Sequence, residues 1–366
     1  MPFSVRRELG GTEGTLHGGL DYAKLRGDGV DPADILDFSV STNPFPLPAE
    51  VEEAVARAAL GRYPDSSSGE LRLALAGMND IDPDSLLVTN GLAQGIFLAA
   101  FAFSDRGSPV LAAAPTFGED EAASRLAGAD VFHVSALPEE NFAFPAARLA
   151  NGIRKYRPAL VWMCSPNNPT GVLPSLDETA ALLDVCEQEG ALLLIDEAYV
   201  NFAPSASCAR PLLPSPNLLL LRSMTKDYGL TGLRLGYILG DPELLRPLRA
   251  LQPPWSVNAC AQSAGVAAIR LSSYYEAQWR EVRILTERMA AALHTAGYAP
   301  FASSANFLLF FAGDTPSLRE FLWEDRILVR DCASFGLPGY VRVGVRSEPE
   351  NERLVKRLAE FRRKKR

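Results

Sequence analysis

Six short apolar runs recur through the middle of this chain: Leu86 to Val88, Val110 to Ala113, Leu160 to Met163, Leu192 to Ile195, Leu218 to Leu221 and Leu235 to Leu239. Helical patterns separate most of them. Runs so short and so continuously apolar have no polar face to offer water, so they read as strands covered on both sides. Strands of that kind, joined through helices, make a mainly parallel sheet between two helical layers, which sets the fold class as α/β. With 366 residues, 47% of them hydrophobic, the chain is too long for one simple pair of layers. After Asp241 the pattern changes to long helices interrupted by Asn306 to Phe311, Ile327 to Arg330 and Tyr340 to Val345, and it closes with a helix from about Glu348. That is the pattern of a smaller α+β domain. The expected organisation is an N-terminal arm over residues 1–48, rich in Gly, Pro and Asp and belonging with the small domain, then a large domain over 49–255 and the small domain over 256–366. Ile35 to Phe38 is the arm's one apolar run, and Pro48 is placed in the first turn of the helix that follows.

Composition narrows the function. The net charge is −8 and the Lys and Arg residues are spread along the chain, which speaks against a nucleic-acid binder. The one basic cluster, Arg362 to Arg366, reads as a solvated helix end. No apolar run approaches ~18 residues, and Arg6 and Arg7 are not followed by an apolar stretch, so neither membrane insertion nor export is expected. Five scattered cysteines without a CxxC pair, and three histidines not spaced as ligands, point to reduced thiols in a cytoplasmic protein with no metal site.

In open parallel sheets ligands collect at the carboxyl ends of strands, so polar motifs directly after the apolar runs are the candidates. In SMTKDYGLTGLRLGY, Ser223 offers a hydroxyl, Lys226 an amine able to condense with an aldehyde, and Arg234 a planar cation suited to a phosphate. LLVTNGLAQG puts Gly91, Leu92 and Ala93 at a helix start, where free backbone N–H groups and the helix dipole favour a phosphate. VWMCSPNNPTG carries Asn168 in a loop forced by Pro and Gly, with an amide that can donate to a ring oxygen. LLLIDEAY sets Asp196 at a strand end with Tyr199 three residues on; a buried carboxylate there would keep a pyridine nitrogen protonated, and Tyr199 would polarise the ring oxygen. ILVRDCASFGLPGYVRVGVRS supplies Arg330 and Arg342, each able to grip a carboxylate or another anion bidentately.

These segments, in this order, resemble the class I and II aminotransferases and their relatives, pyridoxal 5′-phosphate (PLP) enzymes of fold type I. The resemblance implies an aspartate aminotransferase-like fold with a seven-stranded sheet and a small α+β domain. It implies PLP as cofactor, with Lys226, Asp196 and Tyr199 as the catalytic residues. It also implies that Phe117 in APTFGED stacks on the cofactor ring and that Arg342 holds the substrate carboxylate, Arg330 being a second anion ligand. Tyr63 in GRYPD matches a tyrosine that reaches the phosphate of the neighbouring subunit, which implies a homodimer with shared sites.

Most of the chain is similar to two branches of that group, threonine-phosphate decarboxylases and histidinol-phosphate aminotransferases. SPNNPTG and DEAY are common to both. LHGG (Leu16 to Gly19), DFSVSTNPFP (Asp37 to Pro46), QPPWSVNACA (Gln252 to Ala261) and SANFLLF followed by RILVRDCASFGL lean toward the decarboxylases of the cobalamin pathway. Leu20 departs from that pattern, which has Asn there; His17 is retained and is a candidate for a substrate phosphate. The expectation is a PLP-dependent decarboxylase acting on threonine phosphate or a close phosphorylated amino acid. A 2-oxoglutarate-dependent aminotransferase and a noncatalytic PLP-binding protein are the alternatives.

Overall fold

The computed structural model describes residues 17–204, 208–213 and 215–365; Arg6, Arg7, Leu16 and Arg366, singled out above, lie outside them. Twelve strands occur among these residues: β1 (Leu36–Asp37), β2 (Leu86–Asn90), β3 (Pro109–Ala114), β4 (Asp130–Ser135), β5 (Leu160–Cys164), β6 (Leu192–Asp196), β7 (Leu218–Ser223), β8 (Leu235–Gly240), β9 (Phe307–Phe311), β10 (Ile327–Leu328), β11 (Arg330–Asp331) and β12 (Tyr340–Gly344). The helices are α1 (Tyr22–Asp28), α2 (Ala49–Ala56), α3 (Gly69–Asn79), α4 (Gly91–Phe103), α5 (Glu119–Ala127), α6 (Ala146–Tyr156), α7 (Leu176–Glu189), α8 (Pro242–Leu251), α9 (Ala259–Arg270), α10 (Ser272–Thr295), α11 (Thr315–Trp323) and α12 (Glu348–Lys364).

All six apolar runs are strands of one seven-stranded sheet in the order β2-β8-β7-β6-β5-β3-β4. Only β8 runs antiparallel to its neighbours. Every residue of β5, β6, β7 and β8 is buried, as strands covered by helices on both faces must be. The seventh strand, which the family resemblance implied, is β4, a segment that the apolar runs did not mark. It is an edge strand of half-covered residues with His133 paired to Glu121, so DVFHVS lacks the continuous apolar run of its neighbours. Pro48 stands at the N-cap of α2, one position before the first turn in which it was expected.

A second sheet, β11-β12-β9, is antiparallel and has its own apolar cluster around Phe310, Leu322, Val343 and Leu358. The long helix α10 supplies Val282 to the large cluster and Met289 to the second. The N-terminal segment joins this second body: β1 pairs in parallel with β10, and Phe38 is fully buried in its cluster. The segment then passes the large sheet, where the Asn43 N–H donates to the Lys226 carbonyl at 2.7 Å. The chain thus brings residues near both of its ends to the carboxyl edge of the central strands. No helix among the described residues is long and apolar enough to cross a membrane.

Candidate active site

The carboxyl ends of β5, β6 and β7 open into one cleft of about 370 Å³ between the two sheets. Lys226, Asp196, Tyr199, Asn168, Ser223, Arg234, Leu92, Ala93, Phe117, Arg342, Arg330 and His17 all line it. Two of the expected residues do not. Gly91 lies just beneath, where a Cβ would come within 2.9 Å of Arg234 Nη2, and its φ of 71° is one that glycine adopts without strain. Tyr63 is 76% exposed and stacks on Trp255 at 4.5 Å, outside the cleft of its own chain.

Local structure explains each placement. α4 begins at Gly91 with no side-chain cap from Asn90, so its first-turn N–H groups have no side-chain partner there and lie beside the cleft-lining Leu92 and Ala93. Arg234 follows the short turn Thr231–Leu233 in a left-handed conformation, φ 59°, and donates through Nη1 to the Thr231 carbonyl at 3.2 Å. One guanidinium, Arg234, and first-turn N–H groups without a side-chain cap therefore lie together in the cleft, an arrangement that takes a dianion.

At the middle of the cleft, Asp196 is 2% exposed and accepts the Ala198 N–H at 2.8 Å. Burial pushes its carboxyl up to about 7, against the pull of the Ala198 N–H and the Lys226 ammonium. Burial, aided by the Arg342 and Arg234 guanidiniums, brings the Lys226 amine down to about 8. An amine so tuned is partly neutral, and nucleophilic, near neutral pH. Burial holds the Tyr199 phenol up at about 12, so it stays a proton donor. Ser223 Oγ lies 2.6 Å from Thr225 Oγ1.

At the far end, Arg342 on β12 donates to Asn168 Oδ1 and, at 2.8 Å, to the Ser39 carbonyl. That contact turns the Asn168 Nδ2 away to serve as a donor. Arg342 Nε is buried and has no hydrogen-bond partner among the described residues. Phe307, which the sequence analysis passed over, backs both groups: its ring meets Tyr199 edge-on at 5.0 Å and lies 5.1 Å from the Arg342 guanidinium. His17 reaches Glu119 at 2.8 Å and lies against Phe117 at 5.7 Å, while Arg330 donates to the His17 carbonyl and to Ser334 Oγ. Ser39, Ser41, Glu119 and Thr225 are further lining residues: Glu119 and Thr225 lie inside the cofactor motifs already singled out, whereas Ser39 and Ser41 come from the N-terminal segment, far in sequence from Lys226.

The family model for class I and II aminotransferases matches residues 33–358. The chain belongs to this family. Class I and II members are fold type I enzymes, and PLP is the cofactor. A threonine-phosphate decarboxylase from Salmonella typhimurium is 33% identical over 94% of the chain and 96% of its own length. A histidinol-phosphate aminotransferase from Symbiobacterium thermophilum is 35% identical over 89% of the chain and 90% of its own. The structure of aspartate aminotransferase from Thermus thermophilus with maleate, 25% identical, overlays with a TM-score of 0.80 and covers 92% of this chain and 94% of that one. Identity does not separate the first two branches. The uncapped start of α4, the Arg234 cation, the amine of Lys226 and the buried acid of Asp196 fit a phosphorylated pyridine aldehyde in one orientation.

Next to Lys226, Asp227 is buried, takes the Tyr228 N–H at 2.9 Å and the Asn201 amide at 2.6 Å, and is pushed up to about 7 by burial. Its folded pKa lies above the unfolded value of ~3.9. The folded state therefore binds the extra proton, and stability attributable to Asp227 falls as pH rises from about 4 through 7. Asp227→Asn is expected to remove that slope. Urea denaturation near pH 5 and near pH 8.5 should show the variant gaining about 2 kcal/mol or more on the wild type at the higher pH; parallel curves for the two proteins would refute it.

Proposed function

We propose that this enzyme decarboxylates a phosphorylated amino acid of the threonine-phosphate type, with PLP held by the cleft residues. The cofactor supplies an electron-withdrawing ring that accepts the electrons of a broken bond at the substrate's Cα. In this assignment Leu92, Ala93, Ser223 and Arg234 would hold the phosphate, with Gly91 giving Arg234 its room. Phe117 would cover the ring, Tyr199 and Asn168 would donate to its oxygen, and Asp196 would pair with its nitrogen and keep the proton there. Lys226 would carry the cofactor and serve as the base or acid that moves a proton at Cα.

The observation that carries the substrate class is the pair of guanidiniums that line the cleft with Lys226. Arg342 and Arg330, with the His17 ring beside them, supply the charge and the donors for a substrate that bears a carboxylate and a phosphate. Arg342 is assigned the carboxylate, and Arg330 with His17 the phosphate. The four sequence segments favour loss of carbon dioxide over amino transfer. Arg342 would set the orientation of the substrate carboxylate at Cα, and that orientation would decide whether the carboxylate or the Cα proton is lost.

Purified enzyme given O-phosphothreonine and no keto acid is expected to release carbon dioxide and aminopropanol phosphate. A strict requirement for 2-oxoglutarate would instead establish the aminotransferase, and a PLP-loaded protein with no turnover would establish the noncatalytic alternative. We also propose a cytoplasmic homodimer in which the exposed Tyr63 completes the partner's site. Mixing inactive Tyr63→Ala and Lys226→Ala subunits should then restore about a quarter of wild-type activity, since half of the dimers are mixed and each has one intact site. No recovery on mixing would place Tyr63 outside the site.

A further inference from the structure

The face of the sheet that α5 covers carries an acid for which the roles above leave no use. Asp120, in the first turn of α5, is fully buried, and neither carboxylate oxygen has a hydrogen-bond partner among the described residues. An orphaned buried carboxylate is costly enough to call for an explanation. Its position follows from two contacts: Trp162 on β5 donates to Ser124 Oγ at 3.1 Å, and Ser124 Oγ donates to the Asp120 carbonyl at 2.7 Å. Side chains alternate along a strand, so Cys164 shares the Trp162 face. Cys164 and Asp196 are register partners on parallel strands and project to the same side. α5 therefore sets Asp120 over Cys164 and Asp196.

We propose that Asp120 is a positioning residue: carrying a proton, it donates a hydrogen bond to the Asp196 carboxylate from the α5 side and so holds Asp196 as the anion turned to the cofactor ring nitrogen. The groups facing it agree. Asp196 on β6 and Glu119 on its own helix are acidic, and Cys164 on β5 feels its field; burial first, then Asp196 and Glu119, raise the Asp120 carboxyl well above the usual range. With no cation acting on it among the described residues, the neutral acid is the form that survives there, and a neutral acid must donate. Asp196 is the charge that acts on it most strongly.

This inference rests on the assignment of Asp196 to the ring nitrogen, and the test keeps the two apart. Holoenzyme of the Asp227→Asn variant, which lacks the acid next to Lys226 that burial raises to about 7, is grown with ¹³C-aspartate and is expected to show, near pH 7.5, a protonated-carboxyl infrared band that shifts with the label and disappears when Asp120→Asn is added. Titration of apoprotein with PLP is expected to give a Kd about 10-fold weaker for Asp120→Ala, the loss of one hydrogen bond to a charged group, and within about 2-fold of wild type for Asp120→Asn, whose amide still donates. A labelled band absent from Asp227→Asn, a band that survives the added Asp120→Asn, or an Asp120→Asn variant as weak in PLP binding as Asp120→Ala would each overturn it. Should the Asp120 variants not fold, the spectrum of Asp227→Asn alone decides, since the Asp227 acid, raised to about 7, is then gone. If Asp196→Ala binds PLP as the wild type does, the Asp196 assignment fails, while the infrared band still reports on Asp120.

Discussion

Lys226→Ala is expected to lower turnover by at least about 10³-fold, because the substitution removes both the covalent attachment point and the group that moves the Cα proton. Folding should survive. The Lys226 side chain only lines the cleft, whereas its backbone carbonyl, which the Asn43 N–H engages, remains in the variant. Two readouts check the claim. Steady-state assay with O-phosphothreonine measures the loss, and borohydride reduction followed by mass spectrometry should fix PLP to the wild type at Lys226 and leave the variant unmodified. Activity within about 10-fold of wild type would remove Lys226 from the chemistry.

Asp196→Ala is the second large effect. A buried carboxylate beside a ring nitrogen is a charge already in place when electrons flow into the ring, and loss of one such preorganised group costs about 10²–10³-fold in rate. Asp196 suits the role because burial leaves it with few competing partners, the Ala198 N–H apart, so its charge is not spent on a surface ion pair. The expected outcome is a fall of that order in kcat with a weakened Kd for PLP. Asp196→Glu, which returns the charge from a longer side chain, should recover part of both. Equal rates for wild type and Asp196→Ala would show that the ring nitrogen is held by another group. Glu197, its neighbour, cannot substitute: it is committed to the buried ion pair with Arg222 at 2.8 Å and to the Ala209 N–H.

The central strands and the motifs after them were legible because their signals are local. Leu192 to Ile195 can only be a covered strand, and Asp196 must then emerge at its end, where the sheet opens. Likewise Lys226 and Arg234 sit in one turn-rich segment, and Gly91 marks the start of α4. β4 was hidden because an edge strand with one partner needs no continuous apolar run. Phe307 and Ser39 were hidden for a different reason: each acts through a neighbour distant in sequence, Phe307 through Tyr199 and Arg342, Ser39 through Arg342.

Sequence alone determined the layered α/β architecture, the family resemblance and the chemical identity of the groups around Lys226, since periodicity and short motifs are properties of neighbouring residues. Only the tertiary structure decided that His17, Ser39, Arg330 and Arg342 meet Lys226 in one cleft, that Tyr63 points out of it, and that Asp120 lies unpartnered beside Asp196. The physical reason is that contacts between β12, the N-terminal segment and the large sheet depend on how two separate apolar clusters pack, and that packing is a sum over the whole chain.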